Sequence, residues 1–226
     1  MLQIGNFRLL AIAVALACLV SIASAVAVAQ STEPADVFQV NYFSNANSTT
    51  GPTAGRDQEV RVINPGAFAP SYPPSSLCAM IYVFDNKQEL KECCGCMISS
   101  DGLLELSVNR NLTSNPFNGV KPTDGDIKIV SALANDFFSG VECDPTGGGK
   151  TPSGTYALNI VPTPDLRAWS SHLQTGGFTT EDEFQDATLS SGELNSLQEE
   201  CYGIANVGSG FGICAQGVAN SSEVCN

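Results

Sequence analysis

The chain has 226 residues, with 10 Lys and Arg against 23 Asp and Glu, for a formal charge of −13 at neutral pH. Negative charge on that scale repels phosphate backbones and excludes nucleic acid as an expected partner. The length suits one domain of ordinary size, whose core can stand without bridges or metal.

Met1–Arg8 is a short polar start carrying one basic side chain, Leu9–Ile22 is almost wholly apolar, and Ala23–Ala29 is a run of small residues. Charged start, apolar middle and small-x-small exit make a signal peptide over 1–29, cleaved after Ala25 or Ala29. Leu9–Ala29 is also long enough for an uncleaved anchor, but its alanine-rich exit buries too little surface for one. A lipid on Cys18 is disfavoured because Ala15-Leu16-Ala17 fits a lipobox poorly. After residue 30 no apolar stretch of spanning length recurs, so no membrane span is expected once the leader is gone. Taking 29 residues from 226 leaves about 197. The leader holds one of the ten basic residues and no acid, so its loss lowers the charge by one, to −14.

Eight cysteines come after the leader: Cys78, Cys93, Cys94, Cys96, Cys143, Cys201, Cys214 and Cys225. An even set beyond an export signal reads as a disulfide framework in a secreted, periplasmic or cell-surface protein.

In chain order, Val37–Ser44 alternates as a strand, Asn45–Gly55 is a polar loop, and Gln58–Ile63 is a second strand stopped by Asn64-Pro65-Gly66. The Pro-rich Pro70–Pro74 leads to Leu77–Phe84, whose near-continuous apolarity predicts a central strand buried on both faces. Asp101-Gly102, between Met97-Ile98 and Leu103-Leu104, predicts a hairpin. Leu104–Val108 and Asp126–Leu133 are two further strands. A loop comes next over Asn135–Pro152, then a strand over Tyr156–Val161. Asp165–Gln174 fits a short helix or a last strand. Ser190–Ala205 is a helix with a Ser190/Glu193 capping box and Leu194, Leu197, Cys201 and Ile204 on one face. Phe211–Ala215 is a candidate closing strand.

Six or seven short strands punctuated by turns predict a mainly β, antiparallel β-sandwich over 30–164, with a helical, disulfide-linked extension over 165–226. By strand count alone this resembles an immunoglobulin-like domain. The Cys…Trp…Cys arrangement of that family is missing, because the only tryptophan, Trp169, comes after the main strands. The resemblance is one of architecture and carries no function.

Cys93-Cys94-Gly95-Cys96 contains a Cys-x-x-Cys, the pattern of a redox dithiol or half a metal site. No helix start comes after it and no second ligand pair exists, so structural disulfides are the expectation. Adjacent cysteines bridge each other only with strain. Cys93, Cys94 and Cys96 are therefore expected to reach three separate distant partners; of the many pairings that eight cysteines permit, Cys201, Cys214 and Cys225 are picked for them, leaving Cys78 with Cys143. Gly147-Gly148-Gly149-Lys150-Thr151 imitates a phosphate loop, but Asp144 stands where that motif requires glycine.

His172, the only histidine, is expected on a partly exposed element, and no nucleophile elbow surrounds any serine. Glu181-Asp182-Glu183 and Glu199-Glu200 are solvated acids, and Asp124 and Asp126 read as a turn without a full calcium series. Asn47, Asn111 and Asn220 stand in glycosylation sequons. No catalytic, cofactor-binding or metal residue is assigned. The expectation is an exported, acidic, disulfide-stabilised binding, surface or structural protein with an extracellular ligand or protein partner. Two alternatives stand beside it: a secreted hydrolase using paired carboxylates, and a metal or redox protein centred on Cys93–Cys96.

Overall fold

The computed structural model describes residues 36–67, 76–133, 143–147, 161–206 and 212–214. The leader, the Pro-rich stretch, most of the 135–152 loop, the strand expected at 156–161, Cys225 and the Asn220 sequon lie outside the described residues. Among the described residues nine strands and one α-helix occur in order: β1 (Phe38–Phe43), β2 (Glu59–Ile63), β3 (Leu77–Asp85), β4 (Leu90–Ile98), β5 (Leu103–Ser107), β6 (Gly125–Leu133), β7 (Arg167–Leu173), β8 (Thr179–Glu183), β9 (Gln185–Asp186) and α1 (Ser191–Asn206).

The strands form two sheets, one of five in the order β4-β3-β6-β1-β9 and one of four in the order β5-β2-β7-β8. Every pairing within them is antiparallel. The unbroken apolar run of β3 has a direct cause, because alternate side chains go to two different apolar clusters. Ala79, Ile81 and Val83 share a cluster with Val60 and Val62 of β2, Leu104 and Leu106 of β5 and Ala168 of β7. Cys78, Met80 and Tyr82 join Leu194, Leu197, Cys201 and Ile204 of α1. The apolar stripe read in the helix sequence is the one it buries. Ser190 Oγ accepts the Glu193 N–H at 3.0 Å, closing one orphan donor of the helix start. The Glu193 carboxylate accepts from Lys128 Nζ of β6 at 2.8 Å, tying helix to sheet.

One expectation changes. Asp101-Gly102 is a turn, with Asp101 at φ 59°, but it does not close a hairpin: β4 pairs with β3 and β5 pairs with β2. The turn carries the chain from one sheet to the other, which local Asp-Gly chemistry cannot distinguish from a hairpin. Residues 165–186 supply strands to both sheets. β7 and β8 complete the four-stranded sheet and β9 adds to β1, so among the described elements only α1 comes after the sheets. Of the two options at 165–174, the strand is found, held by β2 on one side and β8 on the other.

The cysteine cluster lies along β4, and strand alternation explains each of its positions. Cys93 faces α1 and bonds Cys201, while Cys94 faces the other sheet and bonds Cys214. Cys78 bonds Cys143, as the assigned pairing has it. Cys96 is disulfide-bonded as well. Gly95 shares the face of Cys93, and a Cβ there would stand 1.7 Å from the Cys143 carbonyl oxygen. The glycine is the space in which the Cys143 segment lies. The segment around Ile213 runs parallel beside the β4 edge: the Cys93 N–H donates to the Gly212 carbonyl at 2.8 Å.

Candidate functional site

The loops at one end of the sheets are ordered by side-chain to backbone hydrogen bonds between segments far apart in sequence. Asp57 is their hub. Its Oδ1 accepts the N–H groups of Gln58 at 2.8 Å and Asn109 at 3.1 Å. Its Oδ2 accepts from the Ser107 hydroxyl and from Arg110 Nε. Asn47, at φ 53°, donates through Nδ2 to Thr113 Oγ1 at 2.9 Å and to the Pro122 carbonyl at 3.0 Å. Its own N–H donates to Asn109 Oδ1 at 2.9 Å. Asn45 donates through Nδ2 to the Leu173 carbonyl at 2.7 Å and through its N–H to Asp124 Oδ1 at 3.1 Å.

Loops fixed in this way present their exposed side chains in one arrangement before anything binds. Pro52, Arg56, Arg110, Val120, Lys121 and Phe178 are such side chains, with Phe178 61% and Val120 66% exposed. Sequence reasoning placed polar loops here but missed Asp57 and Asn109 as their anchors. The available signal was the density of Asn, Asp and Ser, which favour local backbone bonds.

Beside this end, a hollow of about 340 Å³ on the outer face of the four-stranded sheet is lined by Asp57, Glu59, Arg61, Ser171, Thr179, Thr180 and Glu181. Arg61 reaches three carboxylates across it: Glu59 at 2.6 Å, Glu105 at 2.9 Å and Glu181 at 3.2 Å. The Glu105 hydrogen bond and the Glu59 charge raise the guanidinium further above its ordinary value. A second, apolar hollow of about 520 Å³ lies between the start of β4 and α1, with Leu90, Phe117, Gly203 and Ile204 among its lining.

Most of the other candidate residues are already engaged in the fold. Cys93, Cys94 and Cys96 are fully or almost fully buried, and their sulfurs are in disulfide bonds. They offer no thiolate to a metal or a substrate in that state. Asp144 accepts from the Thr146 N–H and hydroxyl and so shapes a turn, while Gly148–Lys150 lie outside the described residues. Glu181 and Glu183 point to Arg61 and Arg167, whereas Asp182 points the other way, to His172. Glu199 and Glu200 are exposed on α1. Asn111 is buried and its Oδ1 accepts the Ser107 N–H at 2.7 Å. With Asn47 committed to two acceptors, neither of these sequons presents an open amide in the folded chain.

Two ionisable groups are sealed inside. His172 is fully buried, contrary to the partly exposed position expected, because β7 turns this side chain inward beneath Tyr42. Burial holds its pKa below the ordinary 6.5, against the pull of Asp182. Glu92 is fully buried on β4. Its Oε1 accepts the Asn115 N–H at 2.6 Å, and burial pushes its pKa up to about 8. Neither group was marked by its sequence context.

Comparison with protein-family models, with curated proteins and with solved structures finds no match. The arrangement defines a β-rich framework with ordered loops at one end, and function has to be argued from that chemistry alone.

Proposed function

We propose that this chain is an exported, disulfide-braced β-sandwich that acts as a binding module, with the Asp57-anchored loops as its recognition surface. The observation that carries the reading is the ordering of those loops: anchors come from segments tens of residues apart, yet the exposed Arg56, Arg110 and Phe178 are left at the surface around the network. Rigid loops on a braced framework suit binding, because little conformational entropy is lost on contact. The disulfides and the leader-like start support a location outside the reducing cytosol. The shared apolar cluster between the sheets supports the sandwich. An architecture like that of immunoglobulin-like domains rests on strand count and carries no further weight.

A glycoside hydrolase of the paired-carboxylate type needs two acids facing an open cleft. Of the acids lining the polar hollow, Glu59 and Glu181 converge on Arg61 and Asp57 is held in the loop network, which favours a structural role for them. A ligand approaching them meets a surface already neutralised in part. The reading is tested by returning the labelled, purified protein to washed cells of the producing organism. Saturable retention that Arg56→Glu and Phe178→Ser abolish, without lowering the melting temperature, is the expected result. Retention that neither substitution changes places recognition elsewhere, and absence of saturable retention contradicts a surface-binding role.

A further inference from the structure

His172 is the only histidine of the chain. Its ring is fully buried, and neither Nδ1 nor Nε2 has a hydrogen-bond partner among the described residues. Tyr42 of β1 stacks on it with centroids 4.0 Å apart and planes 14° from parallel. Asp182 of β8, 60% exposed, brings Oδ2 to 3.6 Å from Nε2. Ser170, two residues back on the same strand face, has a buried hydroxyl that is also without a hydrogen-bond partner among the described residues.

This is an uncommon environment for an imidazole. Buried polar atoms are normally satisfied, and leaving one without a partner costs its full desolvation. A structural aromatic at this position would be better served by Phe, which has no nitrogen to bury. The position also joins the two sheets, since β1 belongs to one and β7 to the other. Asn41 Nδ2 adds a long contact to the Asp182 carbonyl at 3.5 Å.

We propose that His172 is a proton-operated clasp: neutral, it lies under Tyr42 and holds β7 and β8 against β1; protonated, it leaves that contact for Asp182 and loosens β8. An imidazolium is poorly tolerated in a sealed site and is drawn to the nearest carboxylate that still meets water. Asp182 is that carboxylate. Among the described residues the titratable group in contact with the ring is Tyr42 of β1, and Gln58, on the lead-in to β2, is uncharged and accepts the neighbouring Leu173 N–H. Glu181 and Glu183 lie on the opposite face of β8 with Arg61 and Arg167 and do not reach the ring. β8 is suited to release. All five of its side chains are exposed, and in the four-stranded sheet it is an edge strand paired only with β7.

Because there is one histidine, imidazole resonances of the labelled full-length protein report this site alone. They are expected to titrate below 6.5. Amide exchange at Thr179–Glu183 and Tyr42, corrected for intrinsic chemistry, is expected to rise by up to roughly tenfold per pH unit as pH falls from 6.5 toward that midpoint and to level off below it. Asp182→Asn is expected to move the midpoint lower still, because the carboxylate is what favours the imidazolium. His172→Phe keeps a stacked ring and is expected to abolish the acid-dependent rise. A midpoint at or above 6.5, exchange at β8 that does not track the histidine titration, or a rise that survives in His172→Phe would each overturn the clasp. Should His172→Phe fold poorly, the coincidence of the two midpoints in the unaltered chain and their joint shift in Asp182→Asn decide the question.

Discussion

Glu92 sits on the strand that carries the cysteine cluster, and it is the acid whose ionisation the fold resists most clearly. Its carboxyl stays protonated up to about pH 8 in the fold, while the same group ionises near 4.5 in the unfolded chain. Between those values the unfolded state binds fewer protons, so stability falls as pH rises through the window and levels off above it. The loss is on the order of a few kcal/mol. Glu92→Gln keeps the size and an acceptor for the Asn115 N–H but cannot ionise. Urea unfolding from acid to alkaline pH is expected to show this downward slope in the unaltered chain and to lose most of it in the variant. His172 works in the opposite sense: with its folded value depressed, the stability it contributes is present above 6.5 and is lost as pH falls. Gly95 gives a second test at this scale. Gly95→Ala drives a methyl into the Cys143 carbonyl, so the Cys143 segment must move or its bridge to Cys78 must fail. A loss of roughly 2–5 kcal/mol in unfolding free energy is expected, the range for a native disulfide. A change within about 0.5 kcal/mol, the level of neutral surface substitutions, would show that the segment does not lie on β4.

At the scale of elements, the parts legible in the sequence are set by burial. β3 announced itself because both of its faces are covered, and α1 because its apolar stripe matches the helical period and Ser190 caps it. β8 was invisible: Thr-Thr-Glu-Asp-Glu is exposed throughout, so it carries no alternation to read. The Asp101-Gly102 turn misled because turn chemistry is local while pairing is set by the partner strand, here β2 for β5. The proposed recognition loops were legible only as polar segments. Their anchoring by Asp57 and Asn47 depends on bonds to residues about fifty to eighty positions away, which no local pattern encodes. The helix cap makes a direct prediction. Ser190→Ala removes the acceptor of the Glu193 N–H and is expected to lower stability by about 1 kcal/mol in thermal or urea unfolding. The effect should be smaller in Ser190→Gly, since glycine at this position costs only a few tenths of a kcal/mol.

For the molecule as a whole, the bridges join segments that the sheets alone would leave loosely attached. Cys93–Cys201 closes a span of 108 residues and ties α1 to the edge strand β4, while Cys94–Cys214 closes 120 and fixes the segment beyond the helix. Long spans are where cross-linking restricts the unfolded chain most. That arrangement has value only where thiols stay oxidised, which is why the bridges and the leader belong to one claim. The fourth bridge rests on the same reading: with Cys96 bonded and three pairs assigned, Cys225 is its proposed partner beyond the leader. The most direct test is the intact mass of the protein recovered from outside the cytosol, with thiols alkylated before reduction in one sample and after it in another. The expected result is a chain beginning at Val26 or Gln30, no alkylation before reduction, and eight alkyl groups after it. A mass that retains the leader, or alkylation of Cys93, Cys94 or Cys96 without reduction, would contradict it and make the cysteine cluster a reactive centre again.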